Sequence, residues 1–248
     1  MKRISALILT PLLILLLALP LKASAADLMI AQAANFMPAM KEIIPAFKEV
    51  SGLEVQATYT STGKLYAQIV NGAPFDLFLA ADERRPQKLF TDGLAETPFV
   101  YAKGKVVLWS KDKKNIGKSW QETIKDGKLS KIAIANTETA PYGTAAMMAL
   151  QHAKLWEQVK PELVYAQSIA QAFQFASTGA ADAGFCAYSS MFTPTGKKGG
   201  FAVVKEAPPV IQAACILKSS EHKIAAIKFV EFLSGPEATA IKKKYGYD

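Results

Sequence analysis

DLMIAQAANFMPAMKEIIPAFKEVSGLEVQATYTSTGKLYAQIVNGAPFDLFLA, residues 27–80, reads as strand, loop and helix twice over, followed by a third strand. Residues 27–31 are a strand-like run. From 37 to about 49 the apolar residues Met40, Ile43, Ile44 and Phe47 fall at helical spacing, and Ser51-Gly52 supplies a stop. Residues 53–59 are the next strand, 64–70 the next helix, Asn71-Gly72 its end, and 76–80 a short buried strand. Farther along, 86–91 reads as helix and 100–110 as a long strand-like run. The segments 120–126, 132–135, 143–152, 163–166 and 169–177 continue the alternation. Such βαβ repetition predicts an α/β fold with largely parallel sheets.

The end of the chain is less regular. Strands are expected at 201–205 and 211–217, joined at the Pro208-Pro209 corner, and a last helix at about 221–233 carries Ile224, Ile227, Phe229 and Phe232. The 248 residues suit one large domain or two lobes of about a hundred residues each. No internal repeat or low-complexity linker is visible. Two lobes would therefore be joined by rigid crossover strands, with 100–110 leading out and 211–217 returning.

The N-terminus has the form of an export signal. Lys2 and Arg3 precede a nearly all-apolar run, 4–21, and Ala23-Ser24-Ala25 is a small-residue cleavage site. The run approaches membrane-spanning length, but Pro11, Pro20 and the cleavage pattern favour removal, with residues 1–25 as signal peptide and Ala26 as the mature start. Loss of Lys2, Arg3 and Lys22 lowers the formal charge of +8 by three. The remaining mild positive balance attracts anions but is too scattered to argue for nucleic acid. Lys242-Lys243-Lys244 reads as a solvated helix end.

Catalytic signals are weak. No G-x-S-x-G elbow exists, His152 and His222 sit in helix-like segments, and two histidines with two cysteines give no metal-ligand spacing. Glu83, Arg84 and Arg85 read as a solvated helix start. Cys186 and Cys215 lie in apolar, strand-like runs, and spacing leaves open whether they pair. Thr60-Ser61-Thr62-Gly63-Lys64 imitates the tail of a phosphate-binding loop. However, the first glycine of that motif would fall at Thr58, and Leu65 stands where a magnesium-binding hydroxyl is required.

Four short segments each close a strand and open a helix: Ala33-Ala34-Asn35, Ser61-Thr62-Gly63, Pro141-Tyr142-Gly143 and Gln167-Ser168-Ile169. A helix N-terminus offers unpaired N–H groups and a partial positive charge, which suits an anion. None of the four segments carries a charged side chain, so together they point to an oxoanion held by neutral donors. Plain roles exist for each: Ser61 and Thr62 as helix caps, capping being the better reading of this loop alone, Asn35 as a cap whose amide can also donate, and Tyr142 as a packing residue whose hydroxyl can also donate. Ser168 caps the helix at Ile169, leaving Ile169 its backbone N–H.

At these loops the chain resembles the periplasmic molybdate-binding proteins of ABC importers, a branch of the type II solute-binding superfamily. The most specific stretch is YAQIVNGAPFDLFLAAD, 66–82, with Ala140-Pro141-Tyr142-Gly143, Ala181-Asp182-Ala183-Gly184-Phe185 and Lys244-Tyr245-Gly246-Tyr247 agreeing. The resemblance implies a two-lobed periplasmic binding protein type II fold. Each lobe would be a mostly parallel sheet flanked by helices, 26–105 with 213–248 and then 106–212, joined by two crossover strands. It implies a periplasmic, non-enzymatic, monomeric receptor that delivers molybdate or tungstate to the membrane permease of an ABC importer; the alternatives are a same-fold receptor for another oxoanion such as sulfate, or a secreted enzyme. Molybdenum or tungsten would enter only as the oxoanion, with no cofactor. Family binding positions carry over to Asn35 with the N–H of Ala34 or Asn35, to Thr62 with Ser61 adjacent, to Tyr142, and to the N–H of Ile169. Many members place a ligand-binding tyrosine where this chain has Ala187. Tyr188, one residue on, falls on the opposite face of the strand and is not assigned to the ligand.

Overall fold

Within residues 26–248, which the computed structural model describes, the predicted alternation resolves into two five-stranded sheets. The leader expected over 1–25 lies outside the described residues. The first sheet begins with β1 (Leu28–Ala33), α1 (Met37–Ser51), β2 (Val55–Thr60), α2 (Thr62–Val70), β3 (Leu77–Leu79), α3 (Arg84–Thr91) and β4 (Phe99–Gly104). Only Lys105 separates β4 from β5 (Val106–Ser110), which starts the second sheet. That sheet continues with α4 (Trp120–Lys125), β6 (Ile132–Ala135), α5 (Pro141–His152), α6 (Trp156–Val159), β7 (Leu163–Ala166), α7 (Ile169–Thr178), β8 (Ala183–Ala187) and β9 (Gly200–Val203). The chain then returns to the first sheet through β10 (Val210–Ile216) and ends in α8 (Lys223–Ser234) and α9 (Pro236–Lys244).

The strand orders, β2-β1-β3-β10-β4 and β7-β6-β8-β5-β9, are matched in plan. In each sheet one strand, β10 or β5, runs against the other four. These are the strands that bring the chain in from the opposite lobe. The return crossing falls at 204–209. β10 pairs with β4 from Val210 opposite Gly104 onward, so Val210–Gln212 lie in the first sheet.

Each lobe has its own core. On α1 the buried positions Ala39, Met40, Ile43 and Phe47 form one stripe at helical spacing, packed with Leu28, Ile30, Phe229 and Leu233. In the second lobe Val106, Leu108, Trp120, Ile134, Leu150 and Phe185 pack together. Burial of such side chains contributes about 1.5–3 kcal/mol each. Ala33 and Ala81 of the first lobe join the second core beside Tyr142, so the lobes meet through tight apolar contact. Cys186 in β8 and Cys215 in β10 are buried and free, one in each sheet. Burial pushes both thiols up, Cys215 to about 12.

Candidate functional site

The parallel pairs β1/β2 and β6/β7 end facing one another, and the four loops leave from their carboxyl ends. This is where open α/β sheets present loops and helix N-termini to a ligand. Between them lies a small cavity, about 10 Å³ in volume, lined by Ala33, Ala34, Asn35, Thr60, Ser61, Thr62, Ala81, Ala140, Pro141, Tyr142 and Ile169. All six residues named from the sequence, Ala34, Asn35, Ser61, Thr62, Tyr142 and Ile169, are therefore brought together. No charged side chain is among the lining residues.

α2, α5 and α7 begin here at Thr62, Pro141 and Ile169, so their first-turn N–H groups have no intrahelical acceptor. Pro141 has no N–H to offer, which makes Tyr142 the first donor of α5. A 3₁₀ turn, Ala34–Phe36, opens the first loop. Ser168 caps α7 as expected, its Oγ accepting from the Gln171 N–H at 3.3 Å.

The capping expectation fails for Ser61 and Asn35. Ser61 occupies the N-cap position of α2 but its side chain makes no capping bond. Its Oγ is buried without a hydrogen-bond partner among the described residues. Thr62 Oγ1 accepts from the Ala81 N–H at 3.0 Å, which leaves the hydroxyl proton of Thr62 to donate. Both hydroxyls therefore remain available.

Asn35 caps nothing. Its Nδ2 donates to Gln212 Oε1 at 2.8 Å and to Tyr247 Oη at 3.1 Å, with Tyr142 Oη 3.4 Å away. The Tyr142 hydroxyl is thus turned into a buried polar cluster, and Tyr142 presents the cavity with the start of its helix. Burial holds the Tyr101 and Tyr142 hydroxyls well above the usual phenol range and pushes Tyr247 up to about 12, so all three keep their protons at neutral pH.

Charges ring the cavity without lining it. Arg85, expected as part of a solvated helix start, is mostly buried; it pairs with Asp82 and donates from Nη2 to the Glu138 carbonyl at 2.9 Å across the cleft. Lys64 Nζ donates to Gln167 Oε1 at 2.6 Å, and the Gly63 N–H to the Thr139 carbonyl at 2.8 Å. Tyr188 packs edge-to-face on Phe192 and tilted against Phe201, and is not among the residues lining the cavity.

Sequence reasoning missed Gln212, Tyr101 and Ser189 entirely. It noted Tyr247 only as part of a matching tail. A glutamine midway along an apolar strand, as Gln212 is in VIQAACI, was the available signal, because a buried amide requires partners.

The profile of a family described as bacterial extracellular solute-binding protein matches residues 28–248. The molybdate-binding protein ModA of Rhodobacter capsulatus is 40% identical over 238 residues, covering 94% of this chain and 92% of its own. That of Azotobacter vinelandii is 41% identical over 230 residues, covering 91% of each. The solved periplasmic molybdate-binding protein of Azotobacter vinelandii superposes with a TM-score of 0.84 at 35% identity, covering 89% of this chain and 98% of that one. The sulfate-binding protein SubI of Mycobacterium tuberculosis shares the fold, at a TM-score of 0.71 and 15% identity.

Proposed function

The chain belongs to the bacterial extracellular solute-binding proteins, and from that premise we propose that it captures molybdate or tungstate between its lobes for an ABC importer. The observation that carries the reading is a buried cavity lined by helix N-termini and neutral hydroxyls, with no charged side chain. Relatives at 40% and 41% identity that are named as molybdate-binding proteins support it. The protein acts as an exported monomer, cleaved after Ala25, and the permease reads the outer surfaces of both lobes.

A tetrahedral dianion suits such a site. Its charge is met by convergent N–H and O–H groups and by helix dipoles rather than by a counter-ion. The backbone donors are the N–H of Ala34 or Asn35, Thr62, Tyr142 and Ile169, joined by the hydroxyls of Ser61 and Thr62. Hydrogen bonds to an ionised acceptor contribute roughly 1.5–3 kcal/mol each, enough in number to offset desolvation. Phosphate carries a proton near neutral pH, and the backbone N–H groups that dominate the lining cannot accept it, which disfavours phosphate. Smaller sulfate is discriminated by fit.

Calorimetric titration is the test. Molybdate and tungstate are expected to bind far more tightly than sulfate, and phosphate hardly at all. Phosphate binding as tight as molybdate binding would overturn the N–H-dominated site.

Ser61→Ala and Thr62→Ala are each expected to weaken molybdate binding by about 1.5–3 kcal/mol. They should differ in stability. Ser61→Ala removes no protein–protein bond, whereas Thr62→Ala leaves the Ala81 N–H without its acceptor and costs about 1–3 kcal/mol of folding free energy. Calorimetry with thermal unfolding separates the two, and wild-type affinity in both variants would show that the α2 loop does not face the ion.

A further inference from the structure

Behind the cavity, at the hinge, a buried polar cluster joins the two lobes. Asn35, Tyr101, Gln212 and Tyr247 come from the first lobe, Tyr142 and Ser189 from the second. Gln212 Oε1 accepts from Asn35 Nδ2 at 2.8 Å and from the Tyr101 hydroxyl at 3.1 Å, while its Nε2 lies 3.4 Å from Tyr142 Oη. The Asn35 carbonyl accepts from Tyr247 Oη at 2.8 Å and from Ser189 Oγ at 2.8 Å. Tyr247 Oη also accepts from Asn35 Nδ2. Every one of these residues is less than a tenth exposed, so water does not compete for the bonds. Gln212 and Tyr247 do not line the cavity.

The cluster converges on two residues, Asn35 and Tyr142, that stand on opposite walls of the site. Each has its side chain in the cluster and its backbone at a helix start facing the cavity. We propose that Gln212 and Tyr247 are positioning residues that hold Asn35 and Tyr142 in an interlobe clamp, so that the backbone N–H groups on both walls converge on one ion only when the clamp is made. The proposal deepens the oxoanion reading and rests on it for the identity of the ion.

The clamp acts on closure rather than on contact with the ion. Removing part of it lowers the population of the closed state, and therefore weakens binding of molybdate and tungstate by the same factor. The loss of one or two neutral hydrogen bonds corresponds to roughly three- to tenfold in affinity. It appears in the dissociation rate, with association little changed. Loss of a group touching the ion, as in Ser61→Ala, instead leaves the closing equilibrium of the ion-free protein untouched.

The experiment places nitroxide labels at Val70→Cys and Tyr165→Cys, exposed positions on the two lobes, and measures their distance distribution by double electron–electron resonance. Tyr247→Phe, which removes a single oxygen, and Gln212→Leu are compared with the parent chain, without ion and with graded sodium molybdate or tungstate. The expected result is a smaller closed fraction without ion and at every sub-saturating concentration, with both oxoanions weakened three- to tenfold alike. Distributions and affinities matching the parent would overturn the clamp. Should the parent chain bind neither oxoanion, the functional reading fails, and the clamp is judged on the ion-free distributions alone, where an unchanged closed fraction overturns it.

Discussion

Gly104→Ala is expected to weaken molybdate binding roughly a hundredfold while leaving each lobe folded. Gly104 ends β4 at the crossing between the sheets, directly against Tyr142. A Cβ built there would lie 1.9 Å from Tyr142 Oη and 2.9 Å from Gln212 Nε2. Tyr142 is 1% exposed, so its ring has no free space to retreat into, and the helix start behind it must move. Overpacking of this kind costs about 1–3 kcal/mol. Misplacing the Tyr142 N–H removes one bond to an ionised acceptor, about 1.5–3 kcal/mol more. At about 1.4 kcal/mol per tenfold the combined loss reaches two orders of magnitude or beyond.

A second variant isolates the cause. Tyr142→Phe removes the oxygen with which the new methyl collides, so Gly104→Ala should cost much less in that background than alone. The double-mutant cycle is expected to be strongly non-additive. A Gly104→Ala protein that binds molybdate within threefold of the parent would show that Tyr142 does not have to sit where it does for binding.

Gly63→Ala should uncouple closure from folding. Gly63 lies in the first turn of α2, and its N–H donates to the Thr139 carbonyl of the opposite lobe. A Cβ at 63 would meet Thr139 Cα at 2.9 Å and Cβ at 2.9 Å. Since the contact includes backbone, the lobes must separate by a few tenths of an ångström or tilt. The closed state then loses about 1–3 kcal/mol to overpacking and about 0.5–1.5 kcal/mol from the strained bond. Affinity falls at least tenfold. The open protein has no such contact, and alanine is a better helix former than glycine, so unfolding of the ion-free variant should come at the same temperature or higher.

Small-angle scattering reads the same event directly. The parent should contract when molybdate is added, because an ion touching both lobes favours the closed state through its additional bonds there. Gly63→Ala should contract less at equal occupancy. An unchanged parent radius with binding established by calorimetry would dispose of the hinge account and leave the site assignment standing. A variant that contracts fully and binds as the parent does would show that the Gly63–Thr139 approach does not limit closure.

The α/β order and the four loops were legible in the residues because their causes are local. Helical spacing of Met40, Ile43 and Phe47, the Ser51-Gly52 stop, and small polar residues after each strand act over a few positions of chain. For the same reason 61–63, 141–143 and 167–169 could be placed at helix starts without knowing what they face. The direction in which each side chain turns was not local. Ser61 looked like a cap, yet its Oγ has no hydrogen-bond partner among the described residues, while Thr62 beside it accepts from the distant Ala81 N–H. Asn35 looked like a cap as well, but its amide is drawn to residues 107, 177 and 212 positions away.

Arg85 makes the same point from the surface. Beside Glu83 and Arg84 it reads as a solvated charge, and only the approach of Glu138 from the other lobe turns it into a bridge. The sequence by itself determined where strands end, where helices begin and which neutral groups stand at those junctions, since periodicity and stop residues work through near neighbours. Only the tertiary structure decided which of those groups are left free for a ligand and which are bound into the hinge. A hydrogen bond is settled by distances of about 3 Å in space, and its partners here come from opposite ends of the chain.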